Sequence, residues 1–252
     1  MLHAITQRKT NIYRRYLGVR EPGDVKVAEE DELTALLLGP LALMPPTVSA
    51  MFWMKLLRLS KAPSIPNTDP LSAIMEFWPS RPDGDGGRIE PDLQVKLLWP
   101  DGQRYLILVE LKWRAPLSGN NQLHRQWMEY LSPHERKKAW HVFIGRETSE
   151  ALKALGQKDV WNGRLLPMSW FEMLGMLEQM GIADLNPWVE QVSSVLKCLG
   201  IRRFQGFRSF PQSTYRHKNE VVFWRGFTGF SHLEPMVIDS SSLPIFFDQE
   251  TR

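Results

Sequence analysis

The stretch Pro91-Asp92-Leu93-Gln94-Val95-Lys96-Leu97-Leu98-Trp99-Pro100-Asp101-Gly102-Gln103-Arg104-Tyr105-Leu106-Ile107-Leu108-Val109-Glu110-Leu111-Lys112 decides the fold. From Pro91 to Leu97 apolar and polar residues alternate, as on a strand with one buried face. Asp101-Gly102 is a hairpin turn signal. The returning residues, Tyr105 to Val109, are apolar on both faces, which predicts a buried central strand. That strand runs straight into Glu110-Leu111-Lys112. Side chains two apart on a strand share a face, so Glu110 and Lys112 project together. A hairpin symmetric about Asp101-Gly102 brings Asp92 to the same end of the sheet, near Glu110 or Lys112.

Upstream, Val27 to Leu43 reads as a helix, with Leu33, Leu36, Leu37 and Leu41 at helical spacing behind Glu29, Glu30, Asp31 and Glu32. Acids in a first turn suit the helix dipole. Pro45-Pro46 ends this helix, and Val48 to Leu59 reads as a second. A breaker-rich segment from Pro63 to Gly87 follows, with a short helix expected at Leu71 to Phe77. Its Asp83-Gly84-Asp85-Gly86-Gly87 run lacks the Lys-Ser/Thr of a phosphate-binding Walker loop. Downstream, the pattern predicts a helix after Pro116-Leu117-Ser118-Gly119 through Leu131, then a buried strand at Ala139 to Ile144. Next come a short helix at Ser149 to Leu155, a strand at Arg164 to Met168 and a helix at Trp170 to Met180. This order predicts an α/β fold with a mixed central sheet flanked by helices. Residues 1–185 are read as the core domain, and 186–252 as an irregular, basic and aromatic C-terminal extension.

The composition fits a globular chain and excludes a disordered or collagen-like one: of 252 residues, 43% are hydrophobic and 23% charged. The net charge of +3 neither demands nor forbids a polyanionic partner. A single cysteine, Cys198, removes a disulfide framework and fits a reducing compartment. The N-terminus is basic without the apolar core of an export signal. Prolines and charges interrupt the apolar stretch Leu33 to Leu59, so no membrane span is expected, and the single cysteine makes a cytoplasmic location the expectation. The 10 tryptophans could fill a core or stack on bases, and their apolar contexts favour core filling.

Asp92 and Glu110 at one sheet end would repel unless a cation neutralises them. Hard oxygen ligands of this kind suit Mg²⁺ or Mn²⁺, which take one or two carboxylates plus water and phosphate. Lys112 could orient water and offset charge on a phosphate. A mutually satisfied Asp-Lys-Glu ion cluster accounts for the same residues equally well.

Pro91-Asp92 followed by Glu110-Leu111-Lys112 resembles the signature of the PD-(D/E)XK nuclease superfamily. The resemblance covers residues 27–145, roughly half of the chain, and implies a restriction-endonuclease-like core of helix, three strands, helix and strand. It implies Asp92, Glu110 and the Leu111 backbone carbonyl as ligands to Mg²⁺ or Mn²⁺, with Lys112 assisting the hydrolytic water. Gln126-Trp127-Met128-Glu129-Tyr130 resembles the QxxxY element of the RecB-like branch, where the Gln and Tyr support the site and contact DNA. Residues four apart lie on one helix face, and Gln122 extends that stripe. An ordinary amphipathic helix is the plain alternative. The family often adds a Glu from its first helix. Glu30, three residues before Leu33 and seven before Leu37, is the candidate, with Glu29 close behind.

The resemblance thus implies a metal-dependent deoxyribonuclease acting on phosphodiester bonds. It also implies partner protein subunits, as in restriction, antiphage defence or mobile-element systems, and leaves a homo-oligomer open. The alternative is a catalytically inactive relative that binds nucleic acid or serves assembly. From Lys197 to His232, seven basic residues face one acid, interleaved with Phe and Tyr. Arg202, Arg203 and Arg208 are accordingly candidates for nucleic-acid contact. A solvated basic face or a protein-docking surface explains that pattern as well.

Overall fold

The computed structural model describes Leu2, Ile5 and residues 13–18, 29–84, 86–114, 117 and 121–202, all within a compact unit spanning Met1–Phe204. Helices α1 (Tyr13–Tyr16), α2 (Glu29–Ala42) and α3 (Pro46–Leu59) precede strand β1 (Ser72–Phe77). A small arm, β2 (Arg81–Pro82) and β3 (Arg88–Ile89), leads into the hairpin β4 (Leu93–Leu98) and β5 (Arg104–Leu111). Then come α4 (Gln122–Arg125), a π-helical turn (Gln126–Tyr130), α5 (Pro133–Arg136) and β6 (Ala139–Gly145). The described chain ends with α6 (Ser149–Gln157), β7 (Leu165–Ser169), α7 (Trp170–Glu178), a 3₁₀ turn (Ala183–Leu185) and α8 (Asn186–Cys198).

Five strands form one mixed sheet in the order β1-β4-β5-β6-β7. β1, β4 and β5 run antiparallel, whereas β6 and β7 continue parallel to β5. The hairpin register pairs Leu93 with Val109 and Leu98 with Arg104. Its turn is closed by Trp99 N–H donating to Gln103 O at 2.9 Å, with Gly102 at φ 77°, a conformation that favours glycine.

The short helix expected at Leu71 to Phe77 is instead the edge strand β1, paired to β4 from Ser72↔Leu98 to Phe77↔Leu93. A helix this short would leave most of its backbone groups unbonded. On the strand, Ala73, Met75 and Phe77 meet the core, while Ile74 is 62% exposed. The helix expected through Leu131 is also not uniform, because α4 passes into the π-helical turn. Carbonyls at the end of that turn accept from arginines: Met128 O and Leu131 O from Arg136, Tyr130 O from Arg81.

Strand alternation divides the interior into two layers. On one side Val95, Ile107, Val109 and Ile144 pack against α2, α3, α7 and α8. On the other, Leu108 and Phe143 meet Trp127, Trp161 and Leu165 around the π-helical turn. Eight of the ten tryptophans are buried, which realises the core-filling role. The segment after Asn186 enters the first layer as α8: Trp188, Val192, Val195 and Leu196 are buried there. Its Trp188 Nε1 donates to Leu37 O at 3.0 Å, tying the last helix to the second. Among the described residues no helix is long and apolar enough to cross a membrane.

Candidate active site

The second layer is where the sheet turns polar. Gln94, Glu110, Lys112, Gln126 and His141 are all buried, and the strand residues among them lie on this side by the two-residue alternation. Continuing the β4–β5 register one step beyond Leu93↔Val109 sets Asp92 across from Glu110. Asp92 Oδ2 accepts the Leu111 N–H at 2.6 Å, which clamps the two strand ends together.

Glu110 is fully buried and accepts three hydrogen bonds. Gln122 Nε2 donates to Oε1 at 2.7 Å, Lys112 Nζ to Oε1 at 2.8 Å and Gln126 Nε2 to Oε2 at 2.6 Å. Glu30, in the first turn of α2, completes the group. Its Oε1 accepts the Trp113 N–H at 2.9 Å, and its Oε2 stands 3.4 Å from Lys112 Nζ. These residues line a cleft of about 410 Å³ that also includes Asp31, Arg88, Glu90 and Arg125.

Burial, followed by the charge of Glu110, pushes the Asp92 carboxyl up to about 8, against the opposing pull of the Leu111 N–H and Lys112. Burial likewise raises Glu110, opposed by Lys112 and Gln126. Burial alone would lower Lys112; the charges of Glu110, Glu30 and Asp92 outweigh it and hold the ammonium above its ordinary value. The cleft therefore contains a firmly protonated lysine facing carboxyls that resist ionisation.

Asp92, Glu110, Lys112, Gln126 and Glu30 thus come together, joined by Gln122. Leu111, whose carbonyl is an expected ligand, buries its side chain in the first layer and gives its N–H to Asp92. Tyr130 lies elsewhere: its hydroxyl donates to Gln94 Oε1 at 2.9 Å, and the Arg81 guanidinium covers its ring at 4.3 Å. Arg202 is exposed and donates to Lys197 O at 2.9 Å, closing the end of α8. Arg203 and Arg208 lie outside the described residues.

Sequence reasoning missed the groups behind Gln126. His141 Nε2 stands 3.0 Å from Gln126 Oε1, and Trp161 Nε1 donates to His141 Nδ1 at 3.2 Å. A polar residue inside the otherwise apolar run Ala139-Trp140-His141-Val142-Phe143-Ile144 was the available signal. The cleft arginines, Arg88 and Arg125, carried no comparable pattern.

Among the described residues no group of three or more His, Cys, Asp or Glu is arranged to hold a metal ion. The two-carboxylate set of Asp92 and Glu110 is nevertheless of the kind Mg²⁺ accepts alongside water. A carboxylate offers about four acceptor positions, of which Glu110 uses three. Comparison with protein-family models, curated proteins and solved structures found no match.

Proposed function

We propose that this chain is a Mg²⁺- or Mn²⁺-dependent nuclease that hydrolyses phosphodiester bonds in DNA, built on a restriction-endonuclease-like core. The observation that carries the reading is the convergence of Asp92, Glu110 and Lys112 with Glu30 in one cleft, at the end of a buried hairpin. The element order supports the fold assignment. From α2 to β6 the order is two helices, three strands of the main sheet with the β2–β3 arm between the first and second, a helical segment and a further strand.

Asp92 and Glu110 would hold the cation, their oxygens being hard donors of the required type. When bound, the cation supplies Lewis acidity toward a phosphoryl oxygen and lowers the pKa of water. Lys112, with three N–H donors on a charged nitrogen, orients the attacking water and offsets charge growing on the phosphate. Gln122 and Gln126 keep the Glu110 carboxylate oriented. Arg88 lines the same cleft, where a phosphodiester backbone would lie, whereas the Arg125 guanidinium there is already paired with Asp83 and Glu129.

A second reading, a catalytically silent binding or assembly subunit, is favoured by the number of protein donors already bonded to Glu110. One experiment separates the two. The full chain is incubated with supercoiled plasmid and with labelled linear DNA in Mg²⁺ or Mn²⁺, beside Asp92→Ala, Glu110→Ala and Lys112→Ala. The nuclease reading expects cleavage by the parent and loss of it in all three variants. Undiminished cleavage by Glu110→Ala removes the mechanism, and DNA binding without cleavage by the parent selects the silent reading.

A further inference from the structure

Trp161, His141, Gln126 and Glu110 form a buried chain of hydrogen bonds running from the apolar second layer to the cleft. Its polarity is forced by chemistry. An indole nitrogen is a donor only, so His141 Nδ1 must accept from Trp161 and carry no proton. A neutral imidazole then holds its proton on Nε2, which donates to Gln126 Oε1. With its oxygen so engaged, the Gln126 amide can turn only its nitrogen toward Glu110. Each link is sealed: Trp161 and His141 are fully buried, and Gln126 is 1% exposed. Burial, with a smaller contribution from His124, lowers the imidazole to about 3, in keeping with a neutral ring.

Without that constraint a Gln amide is symmetric in shape and free to reverse. Reversal would set Oε1 against Glu110 Oε2, oxygen facing oxygen at 2.6 Å, and the carboxylate would have to swing away. Gln122 alone does not prevent this, because it bonds the other carboxylate oxygen. The π-helical turn supports the arrangement by beginning at Gln126 and placing Trp127 against His141, with ring centroids 6.2 Å apart.

We propose that His141 is a positioning residue: as its Nε2–H tautomer it fixes the Gln126 amide and thereby orients the Glu110 carboxylate in the cleft. The consequence for metal binding rests on the nuclease reading, whereas the orientation of Gln126 does not.

The test uses the full chain, His141→Gln and His141→Leu. Glutamine spans the same number of bonds to a nitrogen donor and can still reach Gln126 Oε1, whereas leucine fills the space without a donor. Long-range ¹⁵N NMR of the parent should show Nε2 protonated and Nδ1 bare; the opposite tautomer overturns the proposal even if no variant folds. The Gln126 side-chain amide protons should stay protected from solvent exchange in the parent and in His141→Gln, and lose protection in His141→Leu. Mn²⁺ affinity, measured by calorimetry without DNA, should fall about tenfold or more in His141→Leu, as for loss of a residue that orients a ligand, and stay near the parent value in His141→Gln. Equal effects of the two substitutions on the amide protection, or none from leucine, overturn the positioning role. A parent that binds no Mn²⁺ removes the metal reading, and the amide protection still decides the role of His141.

Discussion

Lys112 Nζ stands 2.8 Å from Glu110 Oε1, an ion pair whose acid is fully enclosed and whose ammonium is nearly so. Such a pair stabilises little compared with an apolar replacement, but removing one partner leaves a buried charge without compensation. Glu30 at 3.4 Å is the second acid that this single ammonium serves. Lys112 is therefore both the proposed water-orienting group and the counter-charge that lets two carboxylates share one cleft.

Lys112→Met should destabilise the metal-free protein by about 3–5 kcal/mol at neutral pH. The double variant Glu110→Gln/Lys112→Met should recover most of that loss, since neither charge remains buried. Urea denaturation of the four proteins in the cycle checks this. A double variant no more stable than Lys112→Met would mean that the pair is not the source of the cost.

Asp92 gives a pH signature of definite sign. Its carboxyl titrates near 8 in the folded protein and near 3.8 when free, so the folded state binds the proton more tightly. This stabilising contribution is complete below about 3.8 and is lost as pH rises through 8. Asn at this position can still accept from the Leu111 N–H and never ionises. In EDTA, the Tm of Asp92→Asn minus that of the parent should therefore grow from pH 4 to pH 8 and level off above. A difference that stays constant across this range would show that Asp92 is not held protonated.

Gln126 and Tyr130 should separate by phenotype. Tyr130→Phe removes the bond to Gln94 and the hydroxyl's interaction with Arg81, and leaves a buried amide oxygen unsatisfied, at a cost of about 1–3 kcal/mol. Cleavage per folded molecule should be unchanged. Gln126→Ala should reduce cleavage by more than its loss of stability explains, because it frees Glu110 Oε2. Thermal melts beside single-turnover cleavage distinguish the two, and a Tyr130→Phe protein that is stable but inactive would reverse the assignment.

Arg202, Arg203 and Arg208 replaced together by Ala should weaken DNA binding and flatten its salt dependence. If each meets one phosphate of duplex DNA, the slope of log K against log salt should become shallower by about 3. Fluorescence anisotropy with a labelled duplex across a salt series gives that slope. An unaltered slope and affinity would assign the basic region to protein contacts.

The hairpin was legible in residues 91–112 because its determinants are local: alternation, an Asp-Gly turn and an apolar return strand. Counting outward from the turn was enough to bring Asp92 to the end of the strand that carries Glu110 and Lys112. Glu30 was legible only in part, since helical spacing gave Glu29 a comparable claim, and the contacts of Glu30 with Trp113 and Lys112 come from the fold. The expected helix at Leu71 to Phe77 failed because the backbone partner of β1 is β4, some twenty residues further on, and no local pattern reports a ladder. Tyr130 went to Gln94, rather than to the cleft, across 36 residues. Gln126 was committed to Glu110 and His141 by the stacking of the π-helical turn on the sheet. The sequence by itself determined which strand runs into Glu110-Leu111-Lys112 and where that strand turns. Only the tertiary structure decided which buried polar group satisfies which, because every buried donor and acceptor must find a partner wherever packing brings one within reach.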